Sequence, residues 1–129
     1  MRRLLLDTHA FLWWIADDAR LSSRARGAIA NRKTECFVSL ASCWEMAIKV
    51  SLDRLTLAAP VEQFVPEQLS ANGFGLLRIE FAHVARVERL AFHHRDPFDR
   101  LLSAQALIED MAIVSADPVF RRYGVKRVW

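Results

Sequence analysis

Cysteine is nearly missing from this chain: Cys36 and Cys43 are the only two among 129 residues. They form no Cys-x-x-Cys pair and have no histidine nearby, which argues against zinc, a thioredoxin-like centre and a secreted disulfide framework, and fits a reducing cytoplasm. Glycine and proline are also scarce, at four each. No glycine-rich loop is available to cradle a phosphate, no Gly-x-Ser-x-Gly elbow supports a serine hydrolase, and no linker, repeat or low-complexity tract divides the chain. Long apolar runs are missing too. The start, Met1-Arg2-Arg3-Leu4-Leu5-Leu6, imitates a secretory signal, but Asp7 ends the run after three leucines. No later stretch approaches the ~20 residues of a membrane span. The expectation is a soluble, unprocessed protein with no membrane partner. Lysine is the last scarcity: of 18 basic residues only Lys33, Lys49 and Lys126 are lysine, and the rest are arginine. Arginine's planar fork suits phosphate. A net charge of +3 is too small to establish a nucleic-acid partner, since coding bias also spreads arginine over solvated faces.

What remains is the composition of a folded domain, 53% hydrophobic and 26% charged with a mean hydropathy of +0.09. Residues 1–129 fall within the size of a single domain. Arg3-Leu4-Leu5-Leu6 reads as a buried strand, followed by an apolar helix from Ala10 to Ala16 and a second helix from Ser22 to Asn31. Cys36-Phe37-Val38 is a second strand. Ser42 to Leu52 follows as a helix, with Trp44, Ile48, Leu52 and Leu55 on one stripe. After Pro60 a helix runs to about Ala71, and Leu76 to Ile79 forms a strand beyond Gly73 and Gly75. The spacing of Val84, Val87, Leu90 and Ala91 predicts a helix over Phe81 to Ala91. A polar loop, His93-His94-Arg95, then leads into Asp96-Pro97, an N-cap and first-turn proline. The helix it opens is apolar nearly all round through Leu101 to Ile108. Met111 to Ala116 is a strand, Pro118 to Tyr123 a short helix and Val125 to Trp129 a last strand. Wholly apolar strands alternating with helices indicate an α/β fold with a mainly parallel central sheet covered on both faces. Ligands of such sheets collect outside the carboxyl ends of the strands.

Acids fall at those ends. Asp7 follows the first strand, Asp117 follows the strand ending in Ser115-Ala116, and Glu45 lies in the helix after the second strand. Asp96 and Asp99 open the buried helix, three residues apart and so on one face. Each has an ordinary reading: Ser42 to Glu45 matches a capping box, Glu45 can pair with Lys49, and Asp96, Asp99 and Asp117 suit helix starts. Asp7, directly after three leucines, is harder to explain that way. Together they present a different problem, because carboxylates 4 Å apart repel by on the order of 4 kcal/mol at an effective dielectric of 20. A cation resolves it, and an all-oxygen set selects Mg2+ or Mn2+ over zinc or copper.

Two other designs with strand-end aspartates fail on the residues. A haloacid-dehalogenase-like phosphatase needs Asp-x-Asp after strand one, where this chain has His9. A phospho-receiver domain needs a phosphoacceptor aspartate after a middle strand, where Val38 leads to Ser39. His9, His93 and His94 are possible ligands or bases, although a histidine beside an acid is more often a hydrogen-bonded structural residue. Trp13, Trp14 and Trp44 are able to stack on bases, but their helical spacing points to core or subunit-interface packing.

Four blocks now align with a known pattern: Leu5-Leu6-Asp7-Thr8-His9, Val38 to Lys49 with Ser42-Cys43-Trp44-Glu45 at its centre, His94 to Ala106 with Asp96-Pro97-Phe98-Asp99-Arg100, and Ile113-Val114-Ser115-Ala116-Asp117. In this order, over nearly the whole chain, the sequence resembles PIN-domain ribonucleases of the VapC toxin type. The resemblance implies a three-layer α/β/α sandwich and a Mg2+ or Mn2+ site formed by Asp7, Glu45, Asp99 and Asp117. It also implies endoribonuclease cleavage leaving a 5′-phosphate, a homodimer, and inhibition by a small cognate antitoxin whose tail blocks the acidic groove. Ser115 stands where the family often has threonine and keeps the hydroxyl. The third block offers two acids. Asp99 is chosen because the family's acid directly precedes a small-residue, apolar helix, which leaves Asp96 as N-cap or as a support behind the ligands, together with Thr8 and Ser115.

On that basis Asp7 and Asp99 hold the principal ion, Glu45 binds it directly or through water, and Asp117 places a second ion or the attacking water. Arg95 and Arg100 are the candidates for RNA phosphate contacts. The rival readings are a non-catalytic PIN-like module that binds RNA or protein, and a metal-dependent DNA nuclease.

Overall fold

The computed structural model describes residues 2–129. Five strands, β1 (Arg2–Leu6), β2 (Thr34–Ser39), β3 (Gly75–Leu77), β4 (Ala112–Val114) and β5 (Arg127–Val128), pair in the order β3-β2-β1-β4-β5. Every pairing is parallel. The helices are α1 (Thr8–Ile15), α2 (Ser23–Ala30), α3 (Leu40–Ser51), α4 (Val61–Asn72), α5 (Phe81–Val87), α6 (Pro97–Glu109) and α7 (Val119–Arg122).

The two-residue period of a strand explains the layers. Leu4 and Leu6 point to one face, where they pack with Phe11, Ile29, Met46 and Phe64; Leu5 points to the other, against Leu102, Ile113 and Phe120. All three leucines are fully buried, and each contributes roughly 1.5–3 kcal/mol. The three-layer α/β/α arrangement around a parallel sheet is therefore present as expected. A close approach holds β3 in place: a Cβ on Gly75 would lie 2.7 Å from the Phe37 ring, its partner in the register.

Several boundaries differ from the sequence reading. The helix α3 begins at Leu40, capped by the Ser39 hydroxyl, which accepts the Ala41 N–H at 3.0 Å. Ser42 therefore lies inside the helix, and the capping box expected with Glu45 does not form. The stripe on this helix is not core either, since Trp44 and Leu52 are 59% and 56% exposed. The helix expected over Phe81 to Ala91 stops at Val87. There the Arg100 guanidinium takes the carbonyl oxygens of Val87 (3.3 Å) and Ala91 (3.0 Å), and the Val87 oxygen also accepts the Leu90 N–H at 3.2 Å, a tighter i+3 turn that closes the helix end.

Candidate metal centre

Asp7 marks the point where β1 passes into α1. Its N–H donates to the Val114 oxygen at 3.1 Å and its Oδ1 caps α1 by accepting the Ala10 N–H at 2.8 Å. One residue later the Thr8 hydroxyl donates to Glu45 Oε1 at 2.5 Å, and Lys49 Nζ lies 2.9 Å from Glu45 Oε2. The expected Glu45–Lys49 pair is thus made. On the other side of β1, the Ser115 hydroxyl accepts the Asp117 N–H at 3.0 Å, and Asp117 Oδ1 accepts the Val119 N–H at 2.9 Å. Arg127 steadies this turn by donating to the carbonyls of Ser115 and Ala116. Asp96 caps α6, accepting the N–H of Phe98 at 2.8 Å and of Asp99 at 3.3 Å.

These elements meet around a cavity of about 340 Å³ lined by Asp7, Thr8, Glu45, Asp96, Asp99, Ser115 and Asp117, with Lys49 and His9 at its wall. A larger cavity of about 550 Å³ lies at the opposite end of the strands, where Arg2, Arg3, Asp110 and Lys126 line it. It contains none of the candidate acids.

Electrostatics single out two members. Burial pushes the Asp7 carboxyl up; a hydrogen bond with Ser115, the Ala10 N–H and the nearby His9 pull it down, and Glu45 pushes it up again. Asp99 is pushed up to about 7, first by burial and then by the charge of Asp96, relieved by His94 and reinforced by Asp7 and Glu45. Lys49, the cation beside the cavity, is already paired with Glu45. An oxygen-rich donor set whose members disfavour one another's charge fits a hard divalent cation such as Mg2+ or Mn2+.

Not every expected residue reaches the cavity. Arg95 is exposed and stands over an adjoining depression with Arg54, Leu52 and Phe98, next to Glu45 and Asp96. Arg100 is directed elsewhere: it is 9% exposed, donates to Val87, Ala91 and the Tyr123 hydroxyl, and lies over the Phe92 ring. It braces α6 and is withdrawn as a phosphate contact. Two histidines have packing roles, His9 stacked on Trp13 and His93 against Tyr123. His94 instead enters the cluster, with Nε2 at 3.0 Å from Asp99 Oδ2 and 3.5 Å from Asp117 Oδ2. Its one local signal is its place two residues before an N-cap, where its ring accepts the Asp96 N–H.

Among the described residues no helix is long and apolar enough to cross a membrane. Residues 4–126 match the family model described as PIN domain. The chain is 30% identical to Ribonuclease VapC22 of Mycobacterium tuberculosis (strain ATCC 25618 / H37Rv), over the full length of both proteins. Its fold is similar to that of DNA-bound VapBC from Salmonella typhimurium, with a TM-score of 0.70, 14% identity and coverage of 98% of this chain and 97% of the other. A toxin-antitoxin complex from Klebsiella pneumoniae contains a similar chain, with a TM-score of 0.59, 15% identity and coverage of 88% and 86%. The acids that the fold gathers at the end of β1 thus occur in a chain that matches one family along nearly its whole length: it belongs to the PIN-domain family, in its VapC group.

Proposed function

We propose that this protein is a Mg2+- or Mn2+-dependent endoribonuclease, the toxin of a toxin–antitoxin pair, which hydrolyses RNA phosphodiesters and leaves a 5′-phosphate. The observation that carries this reading is the convergence of Asp7, Glu45, Asp99 and Asp117, from separate parts of the chain, on one cavity. The names of the relatives, a ribonuclease and a toxin-antitoxin complex, support it.

Asp7 and Asp99 are the residues that would hold the principal cation, with Glu45 reaching it directly or through water. When bound, the cation supplies Lewis acidity toward the phosphodiester and its leaving oxygen. Asp117, fixed by Ser115 and Val119, orients the attacking water or holds a second ion. Thr8 and Ser115 keep Glu45, Asp7 and Asp117 in position, and Asp96 sets the start of α6 so that Asp99 enters the cavity. Arg95, exposed at the rim, contacts an RNA phosphate.

The partners follow from the same surface. A homodimer is supported by the exposed apolar residues Leu40 and Trp44 on α3 and Leu52 at its C-terminal end, with Phe98 edge-on to Trp44 at 5.2 Å between ring centres. The acidic cavity suits the tail of a cognate antitoxin carrying a basic side chain, which would close it to RNA. The cytoplasm is the compartment in which RNA and antitoxin are both available.

The test is cleavage of end-labelled RNA pools and matched single-stranded DNA by the purified protein, with Mg2+ or Mn2+ against EDTA and with Asp99→Asn in parallel. Metal-dependent cutting of RNA that the variant loses is the expected result. Cutting of DNA alone would transfer the site to a DNA nuclease, and absence of both cutting and cation binding would leave a binding module.

A further inference from the structure

His94, Asp99 and Asp117 each bring a donor atom within 4.8 Å of the others, a spacing that one ion could bridge. The far side of the imidazole argues for a different role. The Asp96 N–H donates to His94 Nδ1 at 3.1 Å. A backbone amide only donates, so Nδ1 presents its lone pair and the ring hydrogen sits on Nε2. Nε2 is the atom that lies 3.0 Å from Asp99 Oδ2 and 3.5 Å from Asp117 Oδ2.

A histidine that ligates through Nε2 needs the opposite arrangement, with the lone pair toward the ion and Nδ1–H donated to an acceptor. Here that hydrogen would face the Asp96 N–H, two donors head to head.

We propose that His94 is a positioning residue of the cation site and not one of its ligands: Asp96 fixes the tautomer, and the resulting Nε2–H steadies Asp99 Oδ2 beside Asp117. This inference rests on the reading that the acids bind a divalent cation. It also gives Asp96 two tasks, since its carboxylate caps α6 while its amide sets the ring. Asp99 Oδ1 is left free of the histidine.

Long-range 1H–15N correlation spectra of histidine-labelled protein read the tautomer directly, without metal and with saturating Mg2+. His94 should show hydrogen on Nε2 in both. Mn2+-loaded protein examined by pulsed electron paramagnetic resonance should show no 14N coupling of a directly bound imidazole. His94→Ala should weaken Mn2+ binding about 10–100-fold, and His94→Gln, whose amide offers an N–H in the same region, should recover part of that loss. A change to hydrogen on Nδ1 when Mg2+ is added, a directly bound 14N, or unchanged Mn2+ affinity in His94→Ala would each overturn the proposal. A histidine-derived 14N coupling would do so while leaving the ribonuclease reading intact. Failure of the wild type to bind either ion would overturn both.

Discussion

Thr8 and Glu45, 37 positions apart, are joined by a 2.5 Å hydrogen bond from hydroxyl to carboxylate that ties the first residue of α1 to the middle of α3. Lys49 takes the other carboxylate oxygen, so Glu45 is held at both ends. Thr8→Val keeps the shape and removes one of those ends. The expected cost is about 1.5–3 kcal/mol in urea unfolding, the range for a hydrogen bond to a charged group. RNA cleavage should fall less than in Glu45→Gln, because the carboxylate remains.

Asp7→Asn and Asp99→Asn should each reduce cleavage by more than the roughly 10–100-fold that follows loss of a residue behind a metal ligand. Both variants should remain folded. In EDTA at pH 8 each should unfold at higher denaturant than the wild type, because an amide removes a charge that burial, and after it the neighbouring carboxylates, disfavour at Asp7 and Asp99. Normal cleavage by either variant would exclude that residue from the chemistry.

Stability without metal should fall as pH rises. Asp99 titrates near 7 in the folded protein against about 3.9 in an unfolded chain. Between these values the folded state binds a proton that the unfolded chain has released. The contribution is complete below about pH 4 and is lost as pH rises through 7. In EDTA the melting temperature should be lower at pH 8 than at pH 5.5, and Asp99→Asn should flatten the difference. A wild-type protein more stable at pH 8 would contradict this. Mg2+ and Mn2+ affinity should change in the opposite sense, strengthening over the same interval as Asp99 loses its proton.

Added cation should stabilise the fold. Free Mn2+ at 100 times its dissociation constant contributes about 2.7 kcal/mol, read as a rise in melting temperature that EDTA reverses. The rise should be absent in Asp7→Asn.

The two arginines of the third block should separate cleanly. Arg100→Ala deprives three acceptors of a buried donor and should cost at least ~2 kcal/mol. Arg95→Ala should change stability by no more than about 0.5 kcal/mol. It should nevertheless weaken RNA binding and lower the salt dependence by about one charge. Equal effects on stability would refute the assignment.

The parts of the fold that were legible in the sequence are those set by local pattern. Leu4-Leu5-Leu6 followed by Asp7 announces a doubly buried strand and an acid at its end, and Asp96-Pro97 announces a helix start. The structure brings both Asp96 and Asp99 to the cavity beside Asp7, and the choice of Asp99 as the ligand rests on the resemblance. What escaped depends on distant partners. Ser42 resembles an N-cap until Ser39, at the end of β2, supplies one first. Arg100 reads as a phosphate contact until the turn after α5 offers it two carbonyls and Tyr123 a hydroxyl. His94 needed the positions of both Asp99 and Asp117, of which the second lies beyond the whole of α6 and β4. Trp44 and Leu52 carry the spacing of a buried stripe, but spacing records only that residues share a face, and this face points to solvent.

The strand order has one more consequence, which concerns the order of synthesis. Asp7 directly follows β1, yet its amide is received by Val114, in β4. A growing chain pairs β1 with β2 early and then waits for β4, α6 and Asp117 to emerge from the ribosome, since distant contacts form only after the intervening chain exists. The acids therefore assemble as a set only once the chain through Asp117 exists. A chain cut short before Asp117 would keep Asp7 and Glu45 and still lack the full set of acids.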